Sequence, residues 1–264
     1  MGEVRSKIKK SESVGLVLSG GGVRGMAHIG VIRAMNELGI SAGAVSGSSV
    51  GALIGALYAQ GHTVEDMLLF FKETPLFKYN FLTISKPGLI DTDKYVALFK
   101  DYFPQDSFEA LDKELHVVAT NLQEGDQAFF SSGELIRPLL ASAALPPVFS
   151  PVLLQGELYA DGGIMNNFPL EPLMDTTDFI LGSNVSIVSR LPKRSLKNAL
   201  QLTGRVTGLM VYASSKEKIG ACDILIAPPA LENIGILDRK GMEKAYLIGY
   251  ENAIRALDKA LLTD

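Results

Sequence analysis

The sequence predicts an α/β protein with a largely parallel sheet, and three observations predict it. Short continuous apolar runs such as Val14-Gly15-Leu16-Val17-Leu18 recur, the pattern of strands covered on both faces. Stretches with apolar residues at helical spacing follow them, so strands and helices alternate. Glycines cluster at the first two strand-to-helix junctions, in Gly20-Gly21-Gly22-Val23-Arg24-Gly25 and in Gly47-Ser48-Ser49-Val50-Gly51. The 264 residues suffice for one domain with a sizeable core, expected over residues 14–264 behind a polar tail, 1–13.

The elements follow in order. The first strand leads through the first glycine loop into a helix from Met26 through Met35. A second strand ends near Ala44-Val45-Ser46, and a buried helix runs to Ala59. Thr63-Val64-Glu65-Asp66 is a capping-box start for a helix over 63–74. Pro75 breaks that helix, and another is expected over 91–103. Runs at 115–120 and 127–131 flank Gly125-Asp126, a hairpin signal. Residues 178–182 and 223–227 read as further strands, with a mainly helical stretch at 195–219 between them. An amphipathic helix over 241–262 closes the chain, with Ala245, Ile248, Ala253, Ile254 and Leu257 inward. No repeat, low-complexity tract or second-domain linker interrupts this order.

Composition excludes several classes. With 47% hydrophobic residues the chain is globular, and a net charge of −4 gives no global attraction to nucleic acid. A single cysteine, Cys222, rules out an internal disulfide framework and suits a reducing compartment. Three dispersed histidines and one cysteine give no metal-ligand spacing. The polar N-terminus carries no secretory signal and no run of about 20 apolar residues exists to span a bilayer, so a cytoplasmic protein is expected.

The chemistry is concentrated in three loops. Gly47 to Gly51 reads G-x-S-x-G between strand and helix, the setting of a nucleophile elbow with Ser49 at its tip. The structural alternative is a small-residue turn packing a helix onto a strand. The upstream glycine loop, at a helix N-terminus, would hold an anion. Gly20, Gly22 and Gly25 also satisfy G-x-G-x-x-G, but a dinucleotide site needs an acidic residue about 20 positions on. There is no Asp or Glu between Glu37 and Glu65, and no Gly-Lys-Ser/Thr closes either loop. An oxyanion is the better-fitting anion.

A serine nucleophile needs a base. His28, His62 and His116 all precede the midpoint and sit in a helix, at a helix entrance and on a strand, so each reads as structural. That leaves a carboxylate. Asp161, ahead of Gly162 and Gly163 at a strand end, could take a serine proton if partial burial raised its basicity. On its own, Asp-Gly-Gly reads better as an ordinary turn.

Taken together, these loops resemble the patatin-like phospholipases, which carry G-G-G-x-R-G, G-x-S-x-G and a later Asp-Gly-Gly or Asp-Gly-Ala in this order. Ala141-Ser142-Ala143-Ala144-Leu145-Pro146 is similar to that family's Ala-Ser-x-x-x-Pro segment. The resemblance spans residues 14–190. It implies a three-layer α/β/α fold with a mainly parallel central sheet, Ser49 as nucleophile and Asp161 as base. It places Gly20, Gly21, Gly22, Arg24 and Gly25 in the oxyanion loop, with Gly47, Gly51, Gly162 and Gly163 as supports. It implies lipid or acyl-ester substrates and no metal or other cofactor. A short-chain esterase or thioesterase, and a non-catalytic lipid-binding regulator of the same fold, remain the other readings.

Two segments are candidate lipid-access surfaces with peripheral membrane contact. Residues 67–90 hold Leu68, Leu69, Phe70, Phe71, Leu76, Phe77, Tyr79, Phe81, Leu82 and Ile84 among lysines. Residues 190–212 lead from Arg190, Lys193, Arg194 and Lys197 into an apolar helix. Either could equally pack on the sheet.

Overall fold

The computed structural model of the chain describes residues 13–74 and 81–262. One eight-stranded sheet organises it: β1 Val14–Leu18, β2 Ala44–Ser48, β3 Glu114–Asn121, β4 Asp126–Phe130, β5 Val152–Leu154, β6 Glu157–Asp161, β7 Phe179–Ser183 and β8 Ile224–Ile226. The strands β3, β2, β1, β7 and β8 run parallel side by side, and β4, β5 and β6 add antiparallel pairs. The fold is α/β with a mainly parallel sheet and helices on both faces, as expected.

The helices are α1 Met26–Glu37, α2 Val50–Ala59, α3 Val64–Glu73, α4 Val96–Lys100, α5 Ile136–Ser142, α6 Glu171–Met174, α7 Ala199–Ile219 and α8 Met242–Leu262. Alternation along β1 shows how the layers form. Leu16 and Leu18 enter the larger core with Ile29, Ile32, Ile54 and Leu57. Val17 points the other way, onto Phe168, Leu170, Leu173 and Ile180. The capping box at Thr63 is formed, with Asp66 N–H donating to the Thr63 hydroxyl at 3.1 Å and Thr63 N–H to the Asp66 carboxylate at 3.1 Å. The helix expected over 91–103 is a 3₁₀ turn, Thr92–Tyr95, that becomes α4 and ends at Lys100. Neither β5 nor α5 is marked in the sequence, because three strand residues and seven helical ones are too short for a periodicity to register.

The aromatic reading of residues 67–90 needs correction. Phe70 is fully buried, edge-on to Phe71, Phe99 and Tyr102, and Phe81 is buried against Tyr95 at a centroid distance of 4.9 Å. These rings are core. Leu69, Leu82 and Ile84 stay exposed, whereas Leu76, Phe77 and Tyr79 lie outside the described residues. No helix among the described residues is long and apolar enough to cross a membrane.

The difference is measurable. Truncating a buried aromatic costs roughly 3–5 kcal/mol, so Phe81→Ala should lower the melting temperature by many degrees. Ile84→Ser, at a fully exposed position, should leave it within a degree or two of wild type.

Candidate active site

Strand β3 brings the site together. One of its edges pairs β4 over Val117 to Asn121. Its other edge pairs β2 as far as Val118, opposite Ser48, and then β6 from Ala119, opposite Asp161. Because β2 runs parallel and β6 antiparallel to β3, the two strands approach head-on and their last residues meet. Ser49 follows directly from β2, and Asp161 ends β6.

Ser49 sits at φ 54°, ψ −128°, a conformation that a non-glycine residue adopts only under strain. The turn is held from both sides. A Cβ on Gly51 would run into the Leu18 carbonyl, and one on Gly47 would lie 2.6 Å from the Ala52 nitrogen. The backbone N–H of Ser49 donates to the buried Ser142 hydroxyl at 2.9 Å. Ser49 is partly exposed, whereas its neighbour Ser48 is fully buried, its hydroxyl facing the Gly162 side of the sheet.

The Ser49 hydroxyl donates to Asp161 Oδ2 at 2.7 Å. Asp161 Oδ1 accepts from Gly163 N–H at 2.8 Å. Its own N–H donates to the Ala144 carbonyl at 3.1 Å, and Thr120 Oγ1 donates to its carbonyl at 2.9 Å. The carboxyl is therefore fixed in place and buried. Burial pushes its pKa up to about 6, against the opposing effects of the Ser49 and Gly163 hydrogen bonds. Gly162 is where the chain passes closest to β3, since a Cβ there would meet the Val118 carbonyl.

In the upstream loop Gly22 has φ 58°, and a Cβ on it would strike the Ile236 carbonyl. Val23 N–H donates to that same carbonyl at 2.8 Å, and Gly20 N–H to the Asn167 carbonyl at 3.1 Å. Among the described residues, the amides of Gly21 and Gly22 have no acceptor, so these two are the loop's free donors. Gly25 is buried against Val50, which locks the loop to the start of α2. The Arg24 side chain turns away and donates to the carbonyls of Ile234 at 2.6 Å and Glu232 at 3.3 Å.

The histidines lie elsewhere in the hydrogen-bond network. His28 is fully buried, with Nε2 2.9 Å from the Ser19 carbonyl and Nδ1 2.7 Å from the Ser183 hydroxyl. A carbonyl only accepts, so Nε2 carries the proton and Nδ1 accepts. Burial pushes its pKa down to about 4. His62 meets the Tyr102 carbonyl at 3.0 Å, and His116 the Glu114 carboxylate at 2.9 Å. None of the three touches Ser49 or Asp161.

Two further residues belong to this geometry and were not identified from the sequence. Ser142 anchors the elbow backbone. Asn167 is buried with its side chain wedged between Gly20 and Gly163, joining the glycine loop to the acidic loop, and its amide nitrogen has no partner among the described residues. The sequence marks where both lie, in the Ala-Ser-x-x-x-Pro segment and the Asn-Asn-Phe-Pro turn, but not what they touch.

The arrangement offers a reachable hydroxyl, a buried carboxylate of raised basicity, and two free amides beside a helix N-terminus. Known proteins resemble the chain in sequence and in fold. The chain is 33% identical over 172 residues to an uncharacterised NTE family protein of Mycobacterium tuberculosis, covering 64% of this chain and 48% of that one. It is 28% identical over 280 residues to a lysophospholipase, nte1, of Neurospora crassa, covering 94% of this chain and 18% of the other. The chain thus spans about half of the mycobacterial relative and under a fifth of the fungal one. In fold it resembles the crystal structure of VipD from Legionella pneumophila, with a TM-score of 0.61 at 19% identity, covering 94% of this chain and 67% of VipD. The sequence profile of the patatin-like phospholipases matches residues 16–174, from β1 to the end of α6 and through every loop of the site, and the chain belongs to that family.

Proposed function

We propose that the chain is a serine acyl hydrolase that cleaves carboxylic esters of phospholipids, lysophospholipids or related lipids, with Ser49 as nucleophile and Asp161 as its base. Family membership supports a lipid ester hydrolase. The observation that carries the finer reading is the 2.7 Å hydrogen bond from Ser49 to a buried Asp161. Ser49 Oγ bonds to the ester carbonyl carbon as its proton passes to Asp161 Oδ2. The resulting oxyanion is met by the Gly21 and Gly22 amides and the positive end of α2. As the alkoxide leaves, Asp161 returns the proton to it. Water then attacks the acyl-serine with Asp161 again taking the proton, and Ser49 is regenerated.

A carboxylate near its ordinary pKa would be a poor acceptor for a serine proton. Desolvation brings Asp161 closer to the working range of a general base. The surroundings suit an apolar acyl group. Ile164 and Met165, just past the acidic loop, and Ile236 and Leu237, against the glycine loop, all remain exposed. They leave apolar surface beside the acidic loop and the glycine loop that an acyl chain would cover.

Three experiments test this reading. A fluorophosphonate probe should label Ser49, and Ser49→Ala should abolish both labelling and hydrolysis of a phospholipid and p-nitrophenyl ester panel. Labelling that survived and mapped to Ser48 would refute the assignment. Asp161→Asn should reduce turnover by roughly 10²–10⁴-fold. In the wild type, kcat/KM on a soluble ester should climb with pH up to about 6 and level off above it, because only ionised Asp161 accepts the proton. A plateau reached a full two pH units lower would contradict the base assignment.

Stability should move the opposite way. The folded pKa of Asp161 is raised above its ordinary value of 3.8, so its contribution to stability is fully present at pH below 3.8 and is lost as pH rises through about 6. At pH 8 the buried charge costs on the order of 3 kcal/mol, from roughly 1.4 kcal/mol per pKa unit. Asp161→Asn should therefore melt above wild type at pH 8, with the gap narrowing toward pH 4. A variant that melts below wild type at pH 8 would overturn this account.

A further inference from the structure

Helix α7 is exposed along most of its length. Counting 100° per residue, Val211 and Ser215 lie on the side nearest the body of the protein, and Ser215 is buried. The opposite side carries Leu202, Val206, Leu209 and Met210 within about 100° of arc, and these residues are 42–69% exposed. Leu191 and Leu196, on the approach to the helix, are exposed as well. An apolar stripe aimed at solvent marks a surface that something covers.

Charge identifies the occupant. From Phe179 to Lys216 there is no Asp or Glu, while Arg190, Lys193, Arg194, Lys197, Arg205 and Lys216 are present, in a chain whose net charge is −4. Arg190, Lys193 and Lys197 are exposed. A second copy of the chain would bring the same basic face against itself. The stretch of residues 1–12 is net basic too, with Arg5, Lys7, Lys9 and Lys10 against Glu3 and Glu12. An anionic bilayer complements both features, taking the leucines below the headgroups and the lysines at phosphate depth.

The other exposed apolar segment fits less well. Near Leu82, Ile84 and Leu89, Lys86 is already paired with Asp91 at 2.7 Å and Asp93 at 2.5 Å. The α7 segment is also joined to the site. Ser186 Oγ donates to the Gly20 carbonyl at 2.8 Å, and Val185 packs on Gly21. Arg205 bridges Ser189 O at 2.7 Å and Glu232 Oε1 at 3.2 Å, and the Glu232 carbonyl receives Arg24.

From this we infer that residues 190–210 are a docking face for an anionic phospholipid bilayer. The inference rests on the hydrolase reading for its purpose, since docking brings the Ser49 site to a lipid surface. The test is co-sedimentation of the Ser49→Ala protein with vesicles of phosphatidylcholine, and of phosphatidylcholine and phosphatidylglycerol in equal parts. Strong binding to the anionic vesicles alone is expected, weakening as salt is raised. Lys193→Gln with Lys197→Gln should weaken it about 25-fold, from roughly fivefold per cation. Leu202→Ser with Leu209→Ser should weaken it at least tenfold. With Ser49 intact, both pairs should slow hydrolysis of vesicle phospholipid while a soluble ester turns over as in wild type and the melting temperature is unchanged.

Vesicle binding unaffected by both pairs overturns the inference. So does a concentration-dependent dimer that Leu202→Ser with Leu209→Ser dissociates, which would make a second copy the occupant. If wild type hydrolyses no ester yet binds vesicles through these residues, the docking face stands and the hydrolase reading falls.

Discussion

The head-on meeting of β2 and β6 along one edge of β3 is the constraint on which the site depends. Ser49 and Asp161 are 112 residues apart in sequence, yet their contact is set by backbone pairing. Ser48 faces Val118 and Asp161 faces Ala119, so the dyad straddles consecutive residues of one strand. The proposed two-member dyad would need this rigidity more than a triad does. An imidazole between nucleophile and acid has side-chain freedom to adjust, whereas a carboxylate touching the hydroxyl directly can reorient only if its loop moves. Accordingly Asp161 is fixed at its amide, its carbonyl and both carboxyl oxygens.

The same geometry explains why the surroundings are built from glycine and small polar side chains. The elbow, the glycine loop and the acidic loop converge within a few ångströms, and ordinary side chains at Gly20, Gly51 or Gly162 would occupy space held by Asn167, Leu18 or Val118. Such close packing brings polar backbone together with little water, so hydrogen bonds must be supplied locally. Ser142 does this with its hydroxyl and Asn167 with its backbone carbonyl, from two other elements. His28, protonated on Nε2, does it from behind, tying Ser19 to Ser183 across β1 and β7. A buried neutral imidazole in that position stiffens the floor of the site.

What could be read from the sequence divides along local and non-local lines. The strand-turn-helix motif around Ser49, the Thr63 capping box, the hairpin at Gly125-Asp126 and the buried face of α8 are encoded within a few residues, so they were legible. Ser142 and Asn167 were not, because each acts on an atom contributed by another element, and one sequence carries no sign of that pairing. The aromatic stretch near Phe70 and Phe81 illustrates the reverse failure. Its composition suits a lipid surface or a core equally, and only the opposing rings of Tyr95, Phe99 and Tyr102 decide for the core.

Helix α7 shows that burial pattern carries information that composition does not. From the sequence, the stripe Leu202, Val206, Leu209 and Met210 suits a lipid-access surface or a helix packed on the sheet. The structure leaves these four residues exposed, while Ser215 is buried and Arg205 and Lys218 anchor the helix by reaching Glu232 and Glu171. Charged anchors on the side facing the body and leucines on the side facing solvent are costly for a protein alone in water. The arrangement becomes favourable only when a second apolar phase covers the stripe. The basic approach to α7 follows directly on Val185 and Ser186, which hold the glycine loop, so the chain that leads to the stripe is tied at its start to Gly20 and Gly21.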